Sequence, residues 1–560
     1  MGNIIKGCDC IKNEELTESK ETDCNQKQPI NSITDVQINL KNFVRQRNEN
    51  YLDVYDKLEI LGQGAFGDVY KIRRKKDKEI RALKEIKKKS LKVNELKNEI
   101  NILKKIDHPN IMTIYEFFED ENYLYIVMEY CNSGDLSNKM DDYGLLSEFI
   151  LKYVMYQVFL AINCLHMKKV VHGDIKRENI AFIKKKELTE NNEKKRKEKD
   201  IFKLFNEEKE IQKELLEANN INKLSEKAKM LLKELSKYEI KLVDFGCAKM
   251  KKENKKDKKL SGIIGTAFYC SPEVVKNNYD YECDEWSCGV LMYILLSGIP
   301  PFDGDTEEDI FKKVLNEKPN LDIPQLKHVS ESCKSLILKL LEKNPNKRIK
   351  CSEVLKDEFF NNGIFIGDLL VGKKEENDEI LKNFIKNKSK RFGGTEKKES
   401  KFKSAVIAYI TLNFVGKKEK KKANEIYRQL SLGDEKHIIS KQTFKESMKN
   451  IFEQITQEEI EKLFNDLDDN NNEEIEFHEL IKGLSDQKKL LTDQNLKEAF
   501  NFFDNDSSGE ITWNEIANVI FNGKNIPENV ISEFLEEIGQ NDINMVMVEL
   551  WIGNAKIRTT

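Results

Sequence analysis

Between Gly62 and Arg348 the chain carries short motifs whose order and spacing leave few folds open. The stretch LGQGAFGDV sets Gly62, Gly64 and Gly67 in the pattern G-x-G-x-x-G, with Val69 two residues on. Small residues at that spacing let backbone N–H groups approach phosphate oxygens. Dinucleotide-binding folds use a similar glycine pattern, but there a crossover helix follows. Here the chain continues VYKIRRKKDKEIRALKEI, which reads as a hairpin of strands. RALK then supplies Lys84, a point charge for the α- and β-phosphates of a nucleotide. Glu99 opens the apolar helical run Ile100, Ile102, Leu103 and is the carboxylate expected to pair with Lys84.

The series continues in order. YLYIVMEYCNSGDL reads as a strand and hinge for adenine. Met128 is expected at the back of the pocket, with backbone hydrogen bonds from Glu129 to Cys131. Asp135 is placed to meet ribose or a basic substrate residue. In VVHGDIKRENI, Asp174 is expected to accept or orient a substrate hydroxyl, Lys176 to stabilise the γ-phosphate and Asn179 to bind a metal. The DFG triplet from Asp244 to Gly246 adds a second metal carboxylate. Glu273, in GTAFYCSPE, is expected to find a buried partner in Arg348. CDEWSCGVLMYILLSGIPPF reads as a buried helix whose Asp284 ties down the loop around Asp174.

With these motifs in series, residues 54–360 resemble a eukaryotic Ser/Thr protein kinase. The wording VLMYILLSGIPPF is similar to the calcium/calmodulin-dependent group, and within it to the calcium-dependent protein kinases of plants and protists. The resemblance implies a bilobal α+β fold, ATP and Mg²⁺ as cofactors, and protein substrates with basic residues near the acceptor. Two features depart from it. Gly173 stands where the loop has an arginine that commonly pairs with a phosphorylated activation segment. The expectation is an active kinase that does without this contact. The alternative is a calcium-responsive scaffold with a weak or inactive lobe, in which Gly173 loosens the loop. The second departure is the Lys- and Glu-rich insert 184–239, without Gly or Pro, read as a partly helical surface element. Its low-complexity composition favours an inert loop over a docking element.

Residues 423–560 repeat a helix–polar loop–helix unit, an all-α EF-hand domain of four units. DNDSSGEITWNE fits the calcium loop pattern. Asp504, Asp506, Ser508 and bidentate Glu515 are its side-chain ligands; Glu510 gives a carbonyl, Thr512 acts through water and Gly509 makes the turn. DDNNNEEIEFHE offers Asp468, Asn470, Asn472, Glu474, Glu476 and Glu479, with Glu473 where the turn wants glycine. The units at SLGDEKHIISKQT and GQNDINMVMVEL are degenerate and read as structural partners of the competent hands. Residues 361–422 form a junction. In KFKSAVIAYITLNF, Phe402, Ala405, Val406, Tyr409 and Ile410 recur at helical spacing between Lys401, Lys403 and the next polar run. Such a basic amphipathic helix suits a calcium-opened apolar groove. The family resemblance implies that it blocks the catalytic cleft until calcium releases it.

Composition narrows the setting. Charged residues make up 34% of 560, and the net charge of −4 gives no argument for nucleic acid. Eleven scattered cysteines without metal spacing read as reduced cytoplasmic thiols. No apolar run reads as reaching the ~18 residues of a membrane span. The segment 1–53 reads as a variable, disordered tail. Its MGNIIKGCDC start offers Gly2 for myristoylation, against a Lys6 that breaks the pattern, and Cys8 or Cys10 for palmitate. Acylation there would attach the protein peripherally to a membrane.

Overall fold

The computed structural model describes residues 43–44, 46–47, 49–64, 67–88, 99–184, 201–203, 208–218, 221–251, 260–262, 265–392, 401–434, 436–452, 455–506 and 508–520, with 530, 532–533 and 543–544 beyond them. Gly2, Cys8 and Cys10 lie outside these residues, as do most of the fourth calcium-loop unit and part of the insert.

The small lobe is a six-stranded sheet in the order β1-β5-β6-β4-β3-β2. Its strands are β1 (Gln46–Arg47), β2 (Tyr55–Gly64), β3 (Gly67–Arg74), β4 (Ile80–Lys87), β5 (Ile114–Glu119) and β6 (Tyr123–Met128). The glycine-rich stretch is the β2–β3 turn, so the hairpin reading holds. Register sets Val69 opposite Lys84, and Lys84 opposite Ile126.

The large lobe is helical. The helix α1 (Leu136–Tyr143) starts on Asp135, and α2 (Glu148–Met167) starts on Ser147, whose side chain accepts the Ile150 N–H. Helix α2 is long and apolar enough to cross a membrane, contrary to the sequence reading, yet 94% of its apolar window is buried in the protein. Single polar residues such as Lys152 and Gln157 hide the run in the sequence, and here they are buried too. The strands β7 (Val170–Val171), β8 (Ile180–Lys184), β9 (Tyr238–Leu242) and β10 (Lys249–Met250) frame the catalytic loop. The insert enters after β8 and returns at β9. Its described part is helical and packed against the large lobe rather than a bare surface loop. Helices α3 (Lys209–Glu217) and α4 (Glu226–Leu235) bury Ile211, Leu215, Ala228, Leu231, Leu232 and Leu235 in the large-lobe core. Apolar residues at helical spacing inside a Lys/Glu-rich stretch are the signal that composition concealed. Behind the catalytic loop, α5 (Glu282–Ser297) is buried from Cys283 to Ser297.

The junction supplies two helices. One, α6 (Lys374–Phe392), puts Leu381 and Ile385 into the core of the first two hands. The other, α7 (Lys401–Phe414), has the bounds the sequence suggested. It differs in one respect: Ser404 to Asn413 are buried all round, so it is not amphipathic in place. Several neighbours enclose it. Its apolar residues share a core with α12 (Asp493–Phe503) and α13 (Trp513–Ile520) of the third hand. Ser404 accepts a hydrogen bond from Lys482 of α11 (Phe477–Leu484), in the second hand. Its last turn meets the small lobe, where Arg74 and Arg81 both donate to the Asn413 carbonyl, at 3.2 and 3.4 Å.

The first two hands are built from α8 (Lys417–Ser431), α9 (Lys441–Ile451), α10 (Gln457–Leu467) and α11. Their loops pair through β11 (Ile439–Ser440) and β12 (Glu474–Ile475). The third pairs with the fourth through β13 (Glu510–Ile511) and β14 (Ile543–Asn544). The first lobe docks on the kinase large lobe. Arg428 of α8 meets Glu239 of β9 at 3.0 Å, with both side chains buried, and Asn424 donates to the same carboxylate at 2.7 Å. Lys168 reaches Glu476 at 2.6 Å, and His478 reaches Asp107 at 2.9 Å.

The described residues between Phe43 and Asp53 correct another expectation. They are not a featureless tail: β1 lies parallel to β5, Asn50 caps the helical turn Tyr51–Val54, and Phe43, Val44 and Tyr51 are buried.

Candidate active site

Strand β4 carries Lys84 into the cleft between the lobes. Its Nζ lies 2.9 Å from Glu99 and 2.9 Å from Asp244. Ile100, Ile102 and Leu103 are buried beside Glu99, which holds the carboxylate in place. Burial works against the charge on Lys84, yet Glu99 and Asp244 hold its pKa above the ordinary value. Burial likewise opposes the charge on Asp244, but Lys84 keeps its carboxyl below the usual range. Asp244 is in the left-handed region at φ +62°, and Phe245 behind it is buried against the His172 ring at 4.8 Å. The triplet is thereby turned so that the aspartate, not the phenylalanine, faces Lys84.

Below it, Asp174 pairs with Lys176 at 2.7 Å. Asn179 donates through Nδ2 to the Asp174 carbonyl at 2.8 Å and to its carboxylate at 3.0 Å. The amide oxygen of Asn179 is then the atom it can offer to a cation. Thr266, which the sequence reading did not single out, donates to Asp174 at 3.3 Å and accepts from Lys176 at 3.2 Å. It lies in the quoted GTAFYCSPE stretch, so the signal was present but unassigned. The whole loop hangs from Asp284, which accepts the N–H of His172 at 2.9 Å and of Gly173 at 2.8 Å. Arg348 and Glu273 pair in the buried interior, one contact being 3.0 Å.

The phosphate end is glycine for steric reasons at Gly67. Its φ is +145°, and a Cβ there would stand 2.1 Å from the Glu85 carbonyl oxygen. Among the described residues a Cβ on Gly62 would meet no atom within 4 Å, so that stretch of backbone leaves room for a ligand to approach. At the hinge the expected role of Glu129 narrows. Its N–H is spent on the Thr113 carbonyl at 3.0 Å and its side chain on Lys241 at 2.8 Å, leaving its own carbonyl for adenine. Burial pushes the Cys131 thiol up to about 12, so Cys131 contributes backbone and not a thiolate. Asp135 caps α1, accepting the Asn138 N–H at 2.8 Å, and burial raises its pKa. That cap competes with the ligand role read from sequence.

A lysine held between two carboxylates, a second carboxylate and amide pair, and a backbone able to approach phosphates define a phosphotransferase site. Comparison with known proteins agrees. Residues 55–360 match the protein kinase domain model. The chain is 30% identical over 478 residues to calcium-dependent protein kinase 4 of Plasmodium berghei (strain Anka), covering 82% of this chain and 79% of that one. It is 30% identical over 523 residues to calcium-dependent protein kinase 4 of Plasmodium falciparum (isolate 3D7), covering 88% and 87%. Calcium-dependent protein kinase 5 of the same organism is 31% identical over 68% of this chain and 57% of its own length. The chain belongs to the calcium-dependent protein kinases. A protein kinase domain implies ATP with Mg²⁺ as cofactors and proteins as substrates. Asp244 and Asn179 fit the metal, and Lys84 fits the phosphates.

Proposed function

We propose that this chain is a serine/threonine kinase switched on by calcium, with α7 as the moving part. One observation carries the reading. The helix lies in the third hand's core and braces the small lobe, while Lys84, Glu99 and Asp244 stand joined in the cleft. An occluding position for the same helix would then be the calcium-free state. Calcium shifts that balance only by its preference for the captured state.

The third loop supports calcium as the input. The carboxylate oxygens of Asp504, Asp506 and Glu515 lie within 4.8 Å of one another. Gly509 makes the turn at φ +87°, and Ser508 donates to the Glu510 carbonyl at 3.0 Å. Thr512 donates to Glu515 at 2.9 Å. The second loop supports it less strongly. Glu473 takes the left-handed turn at φ +64°, a strain of about 1–2 kcal/mol for a residue other than glycine. Yet Asn470 is buried with its amide oxygen unpartnered, as a ligand position would leave it. Asp468 turns its oxygens to the Asn472 and Glu473 N–H groups, both at 3.1 Å. Burial raises Asp468 and Glu474 and pushes Glu479 up to about 8, a cost that a bound cation offsets. In the degenerate first loop Asp434 instead accepts from Ser440 at 3.0 Å and Thr443 at 2.8 Å, closing the turn without metal. Basic residues near the acceptor remain our reading of the substrates. Acylation of Gly2 with Cys8 or Cys10, and so peripheral membrane attachment of a cytoplasmic enzyme, is proposed from the sequence alone.

Gly173 supports activity. It sits at φ +77°, where glycine rests freely, and Asp284 fixes its N–H. Gly173→Ala is therefore expected to lower stability by about 1 kcal/mol, read as a lower thermal midpoint. An unchanged or higher midpoint would contradict the strain argument. The function itself is tested by phosphate transfer from ATP to serine and threonine peptides, with calcium and with a chelator. Transfer only with calcium is expected; equal transfer in both removes the switch.

A further inference from the structure

The neighbours Phe43 and Val44 are buried in different cores. Val44 belongs to the kinase core, while Phe43 lies in the core of α7 and the third hand. Phe43 is 2% exposed, and its ring centroid lies 6.2 Å from that of Phe502. Phe502 in turn stacks on Tyr409 of α7 at 4.3 Å and stands two residues before Asp504, the first ligand position of the third loop. On the other side of Val44, β1 pairs in parallel with β5, setting Gln46 beside Phe117 and Arg47 beside Phe118. Arg47 adds an ion pair to Glu116 at 3.0 Å. Phe43 and Val44, with Gln46 and Arg47, therefore bridge the sheet that carries the nucleotide site and the apolar groove next to the third hand's loop.

We propose that Phe43, Val44, Gln46 and Arg47 belong to a strap that is a second occupant of the third hand's groove, its Phe43 docking there beside α7 while β1 fastens it to the small lobe. This rests on the calcium-switch reading above. A calcium-loaded hand opens its apolar face, so loading the hand and seating Phe43 favour each other. The coupling is reciprocal: removing the Phe43 ring must weaken calcium's effect on the kinase. The Val44 and β1 contacts do not involve the hand, so the strap keeps its hold on the sheet while its other end responds to the ion.

The test uses the full chain. Hydrogen exchange of the backbone spanning 43–50 is followed with calcium and with chelator, in wild type, Phe43→Asp and Phe43→Leu. Slower exchange with calcium is expected in wild type and Phe43→Leu and is lost in Phe43→Asp. Phe43→Asp is also expected to raise the calcium needed for half-maximal peptide phosphorylation by about tenfold, within the usual range of coupling between sites. Exchange that ignores calcium in wild type, or a Phe43→Asp chain with wild-type calcium response, overturns the strap. Calcium-independent transfer by wild type would sink the switch instead, and the exchange measurement, which needs no catalysis, would still decide the strap.

Discussion

Asp174→Asn is expected to cut the rate of phosphate transfer by roughly 10²–10⁴-fold, with little change in KM for ATP. Asp174 pairs with Lys176 and receives Thr266 and Asn179, so it is held rigidly where a substrate hydroxyl would present its proton. Asparagine keeps the size but cannot take the proton. The nucleotide end, built on Lys84, Glu99 and Asp244, is untouched by the change. The loop should survive, because Asn179 also bonds the Asp174 backbone carbonyl and Asp284 holds the two preceding N–H groups. The check is steady-state kinetics with calcium, beside a thermal unfolding curve. A folded variant within twofold of wild type would remove Asp174 from its proposed role and reopen the scaffold reading.

Glu515→Gln is expected to leave basal activity unchanged and reduce the calcium-stimulated maximum to about half. Glu515 closes the third loop: it accepts the Asp506 N–H at 3.3 Å and the Thr512 N–H at 2.8 Å while facing Asp504 and Asp506. Glutamine can keep one acceptor but not the bidentate charge a calcium ion requires. Moving a switch from 1:99 to 99:1 takes about 5.5 kcal/mol, so two hands sharing it would each supply a ~100-fold preference. Losing one leaves the populations near 1:1 by the same arithmetic. The readout is peptide phosphorylation across a calcium titration. Full stimulation in the variant would assign the switch to the second hand, against its Glu473 turn. Complete loss would mean that the second hand contributes nothing.

The contrast between those two hands was legible in the sequence, because ligand spacing and a turn glycine are local properties. The same holds for Lys84, Asp174, Asn179 and Asp244, whose motifs fix the backbone that displays them, and for the limits of α7. Glu99 was also within reach, since its helix carries its own apolar pattern. What surrounds each element was not legible. The hydrophobic pattern of α7 said that it is covered but not by what, and the answer involves the third hand, Lys482 and two small-lobe arginines. The Leu381–Ile385 face of α6 went unread for the same reason.

The largest gaps lie where residues far apart in sequence meet. Glu239, at the end of what reads as a charged insert, is buried under Arg428, 189 positions away. In the chain both look like ordinary solvated charges, and only docking excludes the water. Phe43 is likewise one aromatic residue in a polar tail until the groove beside Phe502 is built. The sequence alone marked the candidate phosphate and calcium ligands, because such ligands must sit at fixed short spacings along the chain. The tertiary structure alone decided how the helical hands pack against the kinase lobes, because burial and pairing across lobes depend on surfaces that exist only after each lobe has folded.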